Sequence, residues 1–256
     1  MAASDTRTGP PDYIGVGAQR SGTTWWFRVL LLHPQIKAAR EGDYGRKKEV
    51  HFFDDFCARE MTQADLERYY AMFPRAEGQI AGEWTPRYMS NVWTARLMAR
   101  ANPSAKILVM LRDPIERYRS GIVHRETRAP HRRPETICAD AIERGRYAAQ
   151  IERLYRHFPR EQVLVLQYER CRQDGPAQFR RTLEFLGVDP DFTPEFERPR
   201  GSTTADGKKE LWEDLRVALR TALDPDVARL PELVPDLDLS LWPNFADVAR
   251  ERSWAS

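Results

Sequence analysis

A three-layer α/β architecture, with a central parallel sheet between two helical layers (αβα), is the fold class this sequence predicts. Three observations point to it. Short apolar runs with strand character recur along the chain. Segments between them carry helical spacing of apolar residues. A glycine-bounded loop joins the first run to the first helix. Strands alternating with helices imply parallel pairing, with helices packed on both faces of the sheet.

The first run, Tyr13 to Val16, continues into Gly17-Ala-Gln-Arg-Ser-Gly-Thr-Thr24 and then Trp25-Trp-Phe-Arg-Val-Leu-Leu-Leu32. That order reads as strand, loop, helix. Such a loop aims backbone N–H groups at an anion, and the helix N-terminus adds partial positive charge. Its spacing nearly matches the phosphate-loop pattern G-x-x-x-x-G-K-[ST]. Thr23 stands where that pattern has Lys, and the loop's own cation is Arg20. A second strand is expected at Val50 to Phe53, which would put Glu49, His51 and Phe53 on one face. Leu66, Tyr69, Tyr70 and Phe73 keep helical spacing. Strands follow at Ile80 to Trp84 and Ile107 to Leu111.

Arg112-Asp-Pro114 comes next, with Asp113 suited to an N-cap and Pro114 to the first helical position. Arg112 then emerges at the carboxyl edge of the sheet, where ligands of such sheets bind, and Ser120 lies about two turns into the helix. Ile151, Leu154, Tyr155 and Phe158 mark another helix, Val163 to Gln167 a fifth strand, and Phe179 to Leu186 a helix ended by Gly187. Residues 190–209 read as a long loop, Glu210 to Leu223 as a helix, and the chain closes through Asp238-Leu-Ser-Leu-Trp-Pro-Asn244.

With 256 residues, one domain over 12–256 is expected behind a loose tail at 1–11. Charged residues make up 30% and hydrophobic residues 41%, which is a soluble globular composition. No apolar run approaches the roughly 20 residues that span a bilayer, and the N-terminus lacks a signal-peptide core. The expectation is therefore a cytoplasmic protein with no membrane partner. Forty basic against 38 acidic residues leave a net charge of +2, too even to argue for nucleic acid. Cys57, Cys138 and Cys171 lie far apart, and the five His are scattered, so no metal site is indicated.

Two anion contacts on one sheet edge suit a ligand with two separated phosphate-bearing ends. The motifs resemble those of sulfotransferases that use 3′-phosphoadenosine 5′-phosphosulfate (PAPS) and release 3′-phosphoadenosine 5′-phosphate (PAP). Arg20-Ser-Gly-Thr-Thr24 is similar to the family loop that receives the 5′-phosphosulfate, and Arg112-Asp-Pro114 with Ser120 to the pattern that holds the 3′-phosphate. Lys48-Glu-Val-His-Phe-Phe-Asp54 resembles a block of the heparan-sulfate type. The resemblance implies Glu49 as the base, with His51 in reserve, and Arg20 as the cation on the departing phosphate.

The cofactor-contacting set it implies is Arg20, Ser21, Gly22, Thr23, Thr24, Trp25, Arg112 and Ser120, with Arg200 and Gly201 from the long loop. The implied fold is the phosphate-loop-like sulfotransferase fold. Gly82-Glu-Trp-Thr-Pro-Arg-Tyr88 departs from the family, since Trp84 stands where a Lys often lies. Arg20 or Arg87 would then carry more of the charge, and Trp84 would be either a core residue or a wall of a sugar pocket. The likeness covers roughly 12–190. With no Cys beyond Cys171, it points to a bacterial-type cytoplasmic member rather than a secretory one, with a small-molecule or glycan acceptor. The alternatives are a phosphate-loop small-molecule kinase, which Thr23 disfavours, and a non-catalytic nucleotide-binding module.

Overall fold

The computed structural model describes residues 6–40, 48–128, 133–196 and 210–248. Five parallel strands form its sheet: β1 (Tyr13–Gly17), β2 (Ile36–Ala38), β3 (Ile80–Trp84), β4 (Lys106–Leu111) and β5 (Val163–Gln167). Their order is β2-β3-β1-β4-β5. Tyr13 sits beside Gly82 on one side and Lys106 on the other. The chain runs from β1 to the edge strand β2, returns to β3 between them, then crosses to β4 and β5. The carboxyl ends of β1 and β4 therefore meet at the switch point of the sheet.

Strand alternation sorts the core into two layers. Ile14, Val16, Ile107, Val109, Leu111, Val163 and Val165 belong to one buried cluster, and Tyr13, Trp84, Leu108, Met110, Leu164 and Leu166 to the other. The second layer is closed by α1 (Thr23–Leu30) and α8 (Gly175–Leu186), which bury Trp26, Phe27, Val29 and Leu30, and Phe179, Leu183 and Leu186. The first is closed by α2 (Gln63–Tyr70), α3 (Thr94–Ala101), α4 (Pro114–Arg128), α6 (Tyr147–Tyr155) and α9 (Glu213–Val227). Shorter or flanking helices are α5 (Pro134–Glu143), α7 (Tyr168–Gln173) and α10 (Leu230–Leu233).

The expected strand at Val50 to Phe53 does not form. His51 takes a left-handed conformation (φ 58°), and Phe52–Cys57 is a short 3-10 helix. Phe52, Phe53 and Phe56 all turn into the core, where Phe52 stacks on Tyr69 at 4.4 Å. Burying both Phe52 and Phe53 favours a helical turn over an alternating strand, and so short an apolar run carries too little periodicity to separate the two. The missing strand is β2, only three residues long. Of the expected tail, residues 6–11 fall among the described ones, and Arg7 exchanges backbone hydrogen bonds with Arg75 at 3.0 and 2.9 Å. The Arg75 guanidinium also donates to the Pro10 carbonyl at 2.9 Å, so this stretch is held against the body.

Candidate active site

The phosphate loop leaves β1 at Gly17 and enters α1 at Thr23. Two features of its backbone shape it. Gly22 takes φ 89°, and a Cβ there would fall 2.5 Å from Cδ2 of Tyr168, so only glycine fits. Arg20 takes φ 71°. Arg20 and His51 are the non-glycine residues of positive φ among the described ones, and both lie in the site. A left-handed L-residue costs roughly 1–2 kcal/mol, which the surrounding contacts must offset.

Arg20 ties the loop to the second anion motif. Its Nε donates to Ser120 Oγ at 3.1 Å, and Arg112 donates to the Arg20 carbonyl at 3.3 Å. Asp113 caps α4 as expected, accepting from the N–H groups of Ile115 and Glu116 at 2.9 and 3.1 Å. Arg112 and Ser120 are thus brought beside the loop. The Arg112 guanidinium lies over the Tyr168 ring at 5.0 Å and 3.7 Å from Glu116. Trp25 meets Tyr168 edge-on, with centroids 6.4 Å apart. Trp25, Arg112, Glu116, Tyr168, Arg172 and Phe196 line a cavity of about 680 Å³. Ser21 is fully buried, and among the described residues its Oγ has no hydrogen-bond partner; the neighbouring Tyr147 hydroxyl donates to the Arg112 carbonyl at 2.9 Å. Thr23 is buried and Thr24 exposed at the first turn of α1, which carries no acidic residue.

The segment 48–54 docks against the carboxyl end of β3. Trp84 donates its backbone N–H to the Lys48 carbonyl at 2.8 Å, and Val50 N–H donates to Glu83 Oε2 and Thr85 Oγ1 at 3.1 and 3.0 Å. Glu83 is fully buried and also accepts from the Tyr69 and Tyr88 hydroxyls at 2.7 and 3.2 Å. Burial pushes its carboxyl up to about 7, against the pull of these donors.

A row of alternating charge follows. Lys48 Nζ donates to Thr23 Oγ1 at 3.2 Å and to Glu49 Oε1 at 2.9 Å. Glu49 Oε2 lies 3.3 Å from His51 Nε2, and His51 Nδ1 lies 2.8 Å from Asp54 Oδ2. The Asp54 and Glu49 carboxylates hold the imidazole cationic, raising His51 to about 9. Burial would raise Glu49, but His51 and Lys48 outweigh it and take the carboxyl down to about 2. Burial lowers Lys48, with Glu49 pulling it back up.

A family model of the sulfotransferase domain matches residues 10–206. The chain belongs to that family. A sulfotransferase from Alicyclobacillus acidocaldarius has a crystal structure that superposes with TM-score 0.71 at 31% identity, covering 91% of this chain and 98% of that one. Heparan sulfate glucosamine 3-O-sulfotransferase 3A1 of Mus musculus is 29% identical over 192 residues, 70% of this chain and 46% of its own length. Heparan sulfate glucosamine 3-O-sulfotransferase 6 of Homo sapiens is 27% identical over 201 residues, 73% of this chain and 55% of its own length. This sulfotransferase domain therefore spans about half the length of the curated relatives it matches, and the expected likeness to the heparan-sulfate type is borne out.

Within the domain, the expected residues Arg20, Ser21, Gly22, Thr23, Trp25, Arg112 and Ser120 converge on one sheet edge, and Glu49 and His51 adjoin it through Lys48. Arg200 and Gly201 lie outside the described residues, as do most side chains of the basic stretch 124–133. Trp84 is a core residue, with no exposed surface and its indole N–H on the Gly17 carbonyl at 3.2 Å. Arg87 is half-exposed, with its guanidinium 3.9 Å from Asp54. Sequence reasoning assigned no catalytic or cofactor-binding role to Lys48, Asp54, Glu83 or Tyr168, and named Lys48 only as a possible ion-pair partner of Glu49. The i, i+3 spacing of His51 and Asp54 was a readable signal for Asp54. Nothing local marks Glu83 or Tyr168, whose partners come from distant segments. Among the described residues no helix is long and apolar enough to cross a membrane.

Proposed function

We propose that this domain transfers the sulfuryl group of PAPS to a hydroxyl or amine of an acceptor, with a glycan favoured by the names of its relatives. One observation carries the reading most: Arg20, hydrogen-bonded to Ser120, joins two cationic anion sites into one groove beside an aromatic-lined cavity. A donor with phosphate groups at two places and a purine suits that groove. The loop N–H groups, Arg20 and the buried Ser21 hydroxyl fit the 5′ end. Arg112 and Ser120 fit the 3′-phosphate, and Trp25 with Tyr168 and Phe196 the flat base. The donor supplies an activated sulfuryl group when bound.

In this reading Glu49 takes the acceptor proton as the acceptor's oxygen or nitrogen bonds to sulfur. The electron pair of the breaking S–O bond stays on the 5′-phosphate, where Arg20 and the α1 N-terminus meet the growing charge. His51 orients Glu49 and is itself oriented by Asp54. A cytoplasmic placement is supported by three free thiols among the described residues. One domain over 12–256 is supported by Asn244, which donates to Asp113 at 2.9 Å beside Arg112.

Titration calorimetry with PAP without magnesium, and with ATP both without and with magnesium, tests the reading. Binding of PAP and none of ATP is expected. Magnesium-dependent ATP binding with no affinity for PAP would make the domain a phosphate-loop kinase instead.

A further inference from the structure

The phosphate loop has Thr23 where a nucleoside-triphosphate loop has its Lys. An ammonium group nevertheless reaches that point. Lys48, 25 residues downstream, places its Nζ 3.2 Å from Thr23 Oγ1. Its side chain is only 14% exposed. Two of its three donors are used, one on Thr23 and one on Glu49. The remaining donor lies at the mouth of the loop, beside the N-terminus of α1. Arg20, the loop's own cation, has its Nε on Ser120 of α4, so Lys48 adds a second cation at the loop.

We infer that Lys48 is a catalytic residue of this domain, the cation that the loop lacks at position 23, gripping the 5′-phosphosulfate end of the donor and stabilising the phosphate that leaves. The inference deepens the sulfotransferase reading and rests on it. The pairing with Glu49 also gives Lys48 a timed role. While Glu49 is ionised, its charge offsets that of Lys48. Once Glu49 has taken the acceptor proton it is neutral, and the full charge of Lys48 faces the electron pair arriving on the 5′-phosphate. Proton removal at one end of the transfer thus strengthens leaving-group stabilisation at the other, in a place shielded from bulk water where charge interactions are strong.

The test is calorimetric and needs no acceptor. Wild type, Lys48→Met and Lys48→Arg are titrated with PAP and with adenosine 3′-monophosphate, which lacks the 5′-phosphate. Losing one charge-assisted hydrogen bond to phosphate weakens binding by roughly 10- to 100-fold. Lys48→Met is expected to lose that much affinity for PAP and to keep its affinity for adenosine 3′-monophosphate within about twofold. Lys48→Arg is expected to recover most of the PAP affinity. Retained binding of the monophosphate shows that the variant is folded, and Lys48→Gln replaces Lys48→Met if the latter does not fold. Unchanged PAP affinity, or an equal loss for both nucleotides, overturns the role of Lys48 while leaving the donor site standing. Wild type that binds neither nucleotide overturns the donor reading itself, and this inference with it.

Discussion

Glu49 at rest is a poor base, because Lys48 and His51 hold its carboxyl down at about 2, and a general base works best near the operating pH. In the proposed reading, an anionic donor that draws Lys48 toward itself would weaken one of the two cationic contacts and let the carboxyl rise. Glu49→Gln keeps the shape and removes the proton acceptor. Its expected effect is a loss of at least about 100-fold in turnover, read as transfer of radiolabelled sulfur from PAPS to a glycan acceptor that wild type sulfates, with no loss of PAP affinity. Turnover within a few-fold of wild type would exclude Glu49 as the base. At this scale the sequence was most legible where one short motif holds the whole signal. Arg20, Gly22 and Asp113 could be picked out from their neighbours alone, since a glycine-bounded loop and an N-cap are local signals. The Lys48–Thr23 contact was not legible, because it joins residues whose proximity depends on how two segments dock.

That docking is decided at the level of β3 and the segment beside it. The carboxyl end of β3 turns Glu83 and Thr85 toward Val50, so one buried carboxylate holds the segment carrying Lys48, Glu49 and His51. Four donors converge on it, from Val50, Thr85, Tyr69 and Tyr88. Glu83→Gln turns an amide NH₂ toward donors that need an acceptor, and a buried donor left unpaired costs about 1–3 kcal/mol. The expected result is a loss of about 2 kcal/mol in urea unfolding, together with reduced turnover, because Glu49, the proposed base, is no longer held in place. Stability equal to wild type would show that the network is dispensable. Apolar content identified β1, β3, β4 and β5, which have their side chains buried on both faces. It misplaced the second strand, because Phe52 and Phe53 are as apolar as a strand, and their burial in a 3-10 turn follows from the pocket that Tyr69 and Tyr88 offer them.

Across the whole molecule, the sheet order sets β1 beside β4, and the C-terminal stretch closes over the far side of that edge. Trp242 donates to Glu169 Oε2 at 3.0 Å, Asp113 N–H to Glu169 Oε1 at 3.1 Å, and Asn244 to Asp113 at 2.9 Å. Burial pushes Glu169, like Glu83, up to about 7. Between about 4.5 and 7 the unfolded chain has released these protons and the folded chain keeps them, so stability falls as pH rises through that window. His51, raised to about 9, acts in the same direction. Its contribution is full below 6.5 and declines as pH rises toward 9. Glu49, lowered to about 2, contributes fully above 4.5 and is lost only as pH falls toward 2. The urea midpoint is therefore expected to be higher at pH 5.5 than at pH 8, and Glu169→Gln to flatten part of that slope. A midpoint that rises with pH over this range would contradict the assignment.

By itself the sequence determined the fold class, the phosphate loop, the capped helix after Arg112 and the sulfotransferase likeness. Each of these rests on periodicity, backbone preference or spacing within about ten residues, so the information is local. Only the tertiary structure decided which strand completes the sheet, that Trp84 fills the core against Gly15 rather than lining a pocket, and that Glu83 anchors the segment carrying Glu49. It also brought the ammonium of Lys48 to Thr23. Those outcomes depend on which distant surfaces meet when both faces of the sheet are buried, and a buried ion pair or carboxylate forms only where the packed chain removes water and supplies partners from several segments at once.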